Sequence, residues 1–504
     1  MPAPRRCPPD APWICDTGAV DAAGIHGFLR LLEQREMPLT SLLIHRGGRT
    51  VFAHWWWPFR ADLPHMLHSA TKSFTGTAAG FALGEGRLRL DDRVTDFFPE
   101  HLPARVGPHL RAMTVRDLLT MRTGHTAGVS GATWRLLDTS WVQAFLAEPV
   151  PEPPGQRFTY SSATSHMLSA VVQRATGEPV ADYLTPRLFE PLGYRGWTWD
   201  SDPEGISTGG NGLSLRAQDF LAYGVLHLRG GRWGGQQVLP PGWAEQASAP
   251  HVDRAVAGTW NGSAFVRTED GVGGAEERYG YQLWLGPGPS YYAAGIFGQY
   301  CFVLPGHDTV VAVTGAMGGW RHRGLPDLVA EHLLPALQGR GTVDGRLEEQ
   351  LARTGRPKDP GAGVDPAPGL GGSYACEPNE EGLSRIAFRF EDGVCKIRLT
   401  DDRGAHVVRC GLGQPLEGMT TVTRWRLHHS YQPAESLVVG EARWTAPTVL
   451  KLTWRFAGSP FTDTVVCRFD QDRVALDRSV NVNTGPCTMP TVRARRSPAD
   501  RDLS

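Results

Sequence analysis

The run from Thr354 to Gly372 (Thr-Gly-Arg-Pro-Lys-Asp-Pro-Gly-Ala-Gly-Val-Asp-Pro-Ala-Pro-Gly-Leu-Gly-Gly) constrains the fold of this chain more than any other stretch. Proline removes backbone donors, glycine resists ordering, and nothing apolar recurs to anchor the run. It therefore reads as a linker between two bodies, each with its own core. A length of 504 residues agrees, since single cores stop growing well short of that. The boundaries that follow are a first domain over 1–345, a linker over 346–372 and a second domain over 373–496.

The first domain mixes strands and helices. Leu42-Leu43-Ile44-His45-Arg46 and Thr50-Val51-Phe52-Ala53 flank Gly47-Gly48, the pattern of a tight hairpin. Thr77 to Leu83 reads as a mostly buried helix that ends near Gly84-Glu85-Gly86. Thr114-Val115-Arg116-Asp117 resembles a capping box opening another helix. Tyr300–Leu304 and Thr309–Val313 form a second hairpin around Pro305-Gly306-His307-Asp308, and Leu325 to Leu337 predicts a closing helix. Strands at both ends with helices between them predict an α/β domain whose sheet joins the two termini.

Past the linker the pattern changes to strand-length runs: Ile386–Phe390, Val394–Leu399, Val449–Trp454 and Thr464–Phe469. These predict a separate antiparallel β-domain, sandwich or barrel. Shading a cleft, an oligomer contact and partner binding are all open to it.

Composition narrows the function classes. A formal net charge of −1 argues against nucleic acid or an anionic membrane as the main partner. The first residues, Met1 to Asp10, carry arginines but no apolar segment behind them, and no later run is long enough to span a bilayer. The 8 cysteines show no paired C-x-x-C spacing, so reduced thiols and a soluble cytoplasmic protein are expected. No His, Glu or Cys spacing suggests a metal site.

The chemistry concentrates at His68-Ser69-Ala70-Thr71-Lys72-Ser73-Phe74. Residues three apart on a helix share a face, so the Ser69 hydroxyl and the Lys72 amine point into one site. At a helix start, free N–H groups and the helix dipole favour developing negative charge. A serine becomes a nucleophile when a base in reach takes its proton, and lysine is one such base. Taken alone, the spacing reads first as an ordinary N-terminal helical turn with an exposed lysine.

Two further segments add to it. Tyr160 lies on Pro154-Gly155-Gln156-Arg157-Phe158-Thr159-Tyr160-Ser161-Ser162, just before the apolar run at Met167. Tyr292-Ala293-Ala294-Gly295-Ile296-Phe297-Gly298-Gln299 precedes a strand, and its glycines permit the close backbone approach that an oxyanion hole requires. A core tyrosine and a glycine-relieved strand bend are the structural alternatives.

The order Ser69-x-x-Lys72, Tyr160, then a Gly-rich strand resembles the serine β-lactamase and penicillin-binding-protein superfamily. The similarity is greatest to its class C-like hydrolase branch, which includes esterases and 6-aminohexanoate-dimer hydrolases. Gly86–Val94, Met113–His125, Leu188–Gly193 and Thr208–Leu215 belong to the same set of motifs, so the resemblance spans roughly residues 35 to 338. It implies a β-lactamase/transpeptidase-like α/β (α+β) domain, an antiparallel sheet flanked by helices, joined here to a C-terminal all-β domain. By position it implies Ser69 as acylated nucleophile, Lys72 as base, Tyr160 as proton shuttle and the Ser69 and Ile296 amides as oxyanion hole. Ser162, Gly295 and Gln299 become candidates for the substrate cleft, and no cofactor is implied.

Two positions depart from the family. Ser162 stands where Asn is common, and Ala293 stands where Lys or His is usual. Those groups commonly orient a substrate amide and carboxylate, so a small ester or a differently anchored amide is the expected substrate rather than a typical β-lactam. Capture of the same acyl-enzyme by an amine or alcohol would make the protein an acyltransferase. A catalytically silent ligand-binding protein on the same fold is the reading from another class.

The remaining motifs have structural explanations. Gly205-Ile206-Ser207-Thr208-Gly209 matches a nucleophile elbow but lacks the flanking strand and helix. Trp55-Trp56-Trp57 and His68 are candidates for the cleft mouth, with core packing as the commoner role. His125 is expected to fix its loop.

Overall fold

A computed structural model describes residues 13–15, 20–255, 259–260, 264–266, 277–338, 345–355, 363–422 and 426–497. The chain separates into two contact units. One comprises Met1–Trp55, Ala61–Gly315 and Trp320–Leu351; the other comprises Trp56–Arg60, Ala316–Gly319 and Ala352–Ser504.

The first unit is built on an antiparallel sheet. Its strands are β1 (Trp13–Cys15), β2 (Leu39–Arg46), β3 (Arg49–Trp55), β4 (Arg278–Tyr279), β5 (Trp284–Leu285), β6 (Tyr291–Gly295), β7 (Gln299–Leu304) and β8 (Thr309–Gly315). Their spatial order is β1-β3-β2-β8-β7-β6-β5-β4, so strands from both ends of the unit meet at the β2–β8 pair. The first hairpin turns at Gly47 and Gly48, both with positive φ, as a type I′ turn demands.

Its helices include α1 (Ala22–Gln34), α2 (Thr71–Gly84), α3 (Val115–Leu119), α4 (Ser162–Thr176) and α5 (Ala217–Leu228). Every residue of α2 from Thr71 to Ala82 is buried, which matches a helix apolar on all faces. Its small residues make that packing possible: a Cβ on Gly80 would lie 2.3 Å from the Trp243 ring. Helix α3 opens with the expected capping box, Thr114 N–H donating to the Asp117 carboxylate at 2.9 Å.

The second unit is a barrel. Its strands are β9 (Gly372–Cys376), β10 (Arg385–Glu391), β11 (Val394–Asp401), β12 (Gly404–Leu412), β13 (Leu416–Thr420), β14 (Ser436–Ala446), β15 (Val449–Phe456), β16 (Thr462–Asp470), β17 (Arg473–Val480) and β18 (Val492–Arg496). The order β12-β11-β10-β9-β18-β17-β16-β15-β14 closes on itself through β12 and β14, while β13 hangs on β14 as a hairpin. Nine strands cannot alternate direction all the way around a ring, and the β12–β14 junction is accordingly parallel. Strict alternation of buried and half-exposed residues along β11 and β17 fills the interior with side chains, among them Tyr374, Phe388, Trp444 and Phe469.

Two expectations need correction. The linker placed at 346–372 begins as a helix, α6 (Gly345–Thr354). Beyond it, Val364 N–H donates to Trp444 O at 3.1 Å and Ala367 N–H to Pro447 O at 2.8 Å. A proline- and glycine-rich composition sets no regular structure, but it leaves single amides free to pair with an adjacent strand. Trp57, a cleft-mouth candidate, instead lies under the Arg455 guanidinium at 4.9 Å, inside the second unit.

Candidate active site

Ser69 occupies a single 3-10 turn, His68–Ala70, that runs directly into α2. One helical turn on, the Lys72 side chain is buried, at 1% exposure. Its Nζ lies 3.0 Å from Ser69 Oγ, 3.1 Å from Ser162 Oγ and 2.6 Å from the Gly210 carbonyl oxygen. Burial pushes the Lys72 amine down to about 7, because a desolvated site disfavours the ammonium.

At that value a large share of the amine is neutral at physiological pH. A neutral amine has two N–H bonds and one lone pair. Gly210 O can only accept, and Ser162 Oγ accepts the second N–H. The lone pair is then left for the proton of Ser69. No carboxylate is needed to direct it.

Tyr160 reaches the same place from the loop that precedes α4. Its hydroxyl hydrogen-bonds Ser69, its ring lies 5.0 Å from Lys72 Nζ, and burial pushes its hydroxyl up to about 12. The phenol therefore keeps its proton at neutral pH. Trp284, tilted at 5.5 Å between ring centroids, backs the tyrosine ring. Thr159 N–H donates to Met121 O at 2.8 Å and Thr159 Oγ1 to His125 O at 2.7 Å, which pins the preceding loop. Thr123 Oγ1 lies 2.8 Å from His125 Nδ1, so His125 sits inside that loop's hydrogen-bond network.

Strand β6 closes the site. A Cβ on Gly295 would stand 2.1 Å from the Leu67 carbonyl oxygen, so only glycine lets the strand lie against the turn that carries Ser69. Ile296, Phe297 and Gly298 form the loop to β7, with Phe297 at φ +66° and Gly298 at φ +100°. The Ser69 and Ile296 amides thus belong to two apposed segments.

Ser162 lies beside Lys72, and Gly295 lies against Leu67, two residues before Ser69. Gln299 does not line a cleft. It is fully buried, and its carboxamide donates to Ile296 O at 3.2 Å and Gly315 O at 2.9 Å while accepting from Gly315 N–H at 3.3 Å. Ala293 is buried in the core. Ser207 is also buried, its Oγ accepting from Ala181 N–H at 3.1 Å, so the elbow-like motif serves a helix start.

The backbone of Gly210 escaped the sequence reading. Thr75 Oγ1 donates to Gly209 O at 2.8 Å, and Leu213 N–H donates to Thr71 Oγ1 at 3.2 Å, fastening this segment to α2. A Cβ on Gly209 would lie 2.1 Å from Ser165 O and one on Gly210 2.6 Å from Ser162 O. Three glycines in Gly209-Gly210-Asn211-Gly212 were the available signal for such an approach.

An antiparallel sheet behind a buried helix bearing Ser-x-x-Lys, with a tyrosine facing the pair, defines a β-lactamase-type fold and site. The beta-lactamase family pattern matches residues 28–334, and the chain belongs to that family. It is 28% identical over 300 residues to a 6-aminohexanoate-dimer hydrolase of Paenarthrobacter ureafaciens, covering 56% of this chain and 74% of that one. It is 29% identical over 377 residues to penicillin-binding protein 4 of Amycolatopsis lactamdurans, covering 67% of this chain and 90% of that one. Among solved structures, a candidate beta-lactamase from Bacteroides dorei DSM 17855 superimposes with a TM-score of 0.51 at 19% identity, covering 64% of this chain and all (100%) of the other. That likeness concerns the fold alone.

Among the described residues, no group of three or more His, Cys, Asp or Glu side chains is placed to hold a metal ion. No described helix is long and apolar enough to cross a membrane. Of the cysteines, Cys301, Cys376, Cys395, Cys410, Cys467 and Cys487 are free thiols.

Proposed function

We propose that the protein is a serine hydrolase that cleaves a small ester or amide through an acyl-enzyme. The observation that carries this reading is the contact of buried Lys72 Nζ with Ser69 Oγ at 3.0 Å, with two acceptors engaging the other amine positions. Ser69 Oγ attacks the substrate carbonyl carbon while its proton passes to neutral Lys72, and the carbonyl oxygen gains the negative charge. Ser69 and Ile296 amides aimed at that oxygen stabilise it. The tetrahedral adduct collapses by breaking the bond to the leaving alcohol or amine. That group takes the proton from Lys72, relayed by the Tyr160 hydroxyl. Water then attacks the ester, its proton leaves by the same route, and acid and free Ser69 result.

The pKa directions favour Lys72 over Tyr160 as the first base, because the amine is half neutral near pH 7 while the phenol is held protonated. The alanine at 293 supports a substrate without a carboxylate at that end. The names of two relatives, a 6-aminohexanoate-dimer hydrolase and a penicillin-binding protein, support a hydrolase reading.

Intact mass after exposure to a fluorophosphonate probe tests this, with wild type and Ser69→Ala side by side. Stoichiometric labelling lost in the variant is the expected result. Labelling of neither protein would overturn the reading in favour of a silent binding fold, and labelling of both would mean another nucleophile.

A further inference from the structure

Two residues beside the site hold unusual backbone conformations. His68, directly before Ser69, has φ +49°, and Phe297, directly after Ile296, has φ +66°. Bulky residues rarely adopt that region, and such outliers persist only where surrounding contacts enforce them. Both side chains are buried, at 1% and 2% exposure. Their rings meet edge to face, with centroids 5.3 Å apart and planes at 80°.

Phe297 sits between Ile296 and Gly298 in a turn where glycine would be less strained. The ring there fills a buried site, and within that site it packs on His68. The peptide joining His68 to Ser69 carries the Ser69 N–H, so the His68 backbone aims that donor. The loop closed by Phe297 opens with the peptide carrying the Ile296 N–H, and Gln299 holds the Ile296 carbonyl from the far side at 3.2 Å. A ring on each segment, locked edge to face, ties the two donors to one spacing.

We infer that His68 and Phe297 form a brace that sets the geometry of the oxyanion pocket, which makes both of them positioning residues. This rests on the hydrolase reading above. Donors must stand about 2.7–3.1 Å from the oxyanion, and loss of a single donor costs about 10²–10³ in kcat. Loosening both without removing either is expected to cost roughly tenfold to a hundredfold, and in kcat rather than KM, because the charge develops only in the transition state.

Phe297→Gly tests it with the positive φ relieved, and because emptying a site at 2% exposure costs about 3–5 kcal/mol, circular dichroism and a thermal melt first establish that the variant is folded. With an activated ester, Phe297→Gly is expected to lower kcat by about ten- to a hundredfold with KM within about twofold, and to slow fluorophosphonate labelling of Ser69 in parallel. Phe297→Tyr, which keeps the ring, is expected to restore the rate. His68→Gly should give a similar loss, and the double variant should lose less than the two single losses combined, because both break the shared ring contact. A Phe297→Gly enzyme at the wild-type rate, additive losses in the double variant, or a loss shared by Phe297→Tyr overturns the brace alone. A wild type that neither labels nor hydrolyses removes the hydrolase reading and the brace together.

Discussion

Lys72 Nζ lies closer to the Gly210 carbonyl oxygen, at 2.6 Å, than to the Ser69 hydroxyl, at 3.0 Å. The amine is therefore held by backbone, which cannot swing away, and its reach toward Ser69 is set by the packing of the 208–212 segment on α2 and α4. In this chain the lysine is positioned from outside its own helix.

Substituting Gly210 with alanine puts a Cβ 2.6 Å from Ser162 O and 2.8 Å from Ser162 Cβ, which forces the segment off α4. We expect Gly210→Ala to lower kcat/KM at least tenfold and to destabilise the fold by about 1–3 kcal/mol, the usual range for overpacking. Steady-state kinetics and urea denaturation check both.

The pH profile follows from the direction of the Lys72 shift. With the amine down to about 7, the base is active above that pH and blocked below it. The expected kcat/KM falls about tenfold per unit on the acid side of pH 7 and stays level to at least pH 9, since the Tyr160 hydroxyl is pushed up to about 12. For stability, the unfolded lysine binds its proton up to about 10.5 and the folded one releases it near 7, so stability contributed by this site rises between those values. Lys72→Met should thus gain more in Tm at pH 6 than at pH 10, measured by calorimetry.

Ser162 accepts from Lys72 at 3.1 Å and so favours the ammonium. Its removal in Ser162→Ala should push the amine lower still. The acid limb of kcat/KM is expected to move to lower pH, together with a modest loss of rate as the amine loses a tether. An acid limb that moves upward would show that Ser162 does not act through Lys72.

Tyr160 is backed by Trp284 and Phe158, so Tyr160→Phe keeps its packing and loses only the hydroxyl. A drop in kcat of about 10²–10⁴ is expected with Tm nearly unchanged, the range for loss of a proton-transfer group. An amide substrate should suffer more than an activated ester, because the poorer leaving group needs the proton.

In the barrel, Arg478 Nε donates to Asp463 Oδ2 at 2.7 Å, and His428 Nε2 lies 2.7 Å from Asp463 Oδ1, all three groups buried. Burial raises the Asp463 carboxyl, but Arg478 and His428 outweigh it and hold it below its usual range. Arg478→Met strands that carboxylate and should destabilise the second unit by about 3–5 kcal/mol. Loss or lowering of one transition in calorimetry of the full chain is the check.

Much of the first unit was legible in its residues. The two glycine-turn hairpins, the capping box at Thr114 and the Ser69 helix all depend on neighbours within a few positions, so local chemistry is enough to reveal them. The second unit was half legible. Val394–Leu399 and Val449–Trp454 alternate strongly, whereas Gly372–Cys376 and Leu416–Thr420 carry too little apolar side chain to stand out. Closure into a barrel depended on β12 meeting β14, a pairing no local pattern encodes.

The site divides in the same way. Spacing alone places Ser69 and Lys72 on one face of a helix, because helical geometry is a property of the chain. Distance in sequence conceals the rest. The Gly210 carbonyl beside Lys72 and the contact of His68 with Phe297 join segments more than a hundred residues apart, and Gln299 turns inward to Gly315 on the neighbouring strand. Only the packed fold brings them together, since each depends on shape and hydrogen bonding between surfaces that the linear order does not record. Residue order determined which groups were able to react; tertiary packing decided which of them meet, and stripped the lysine of the water that would keep it charged.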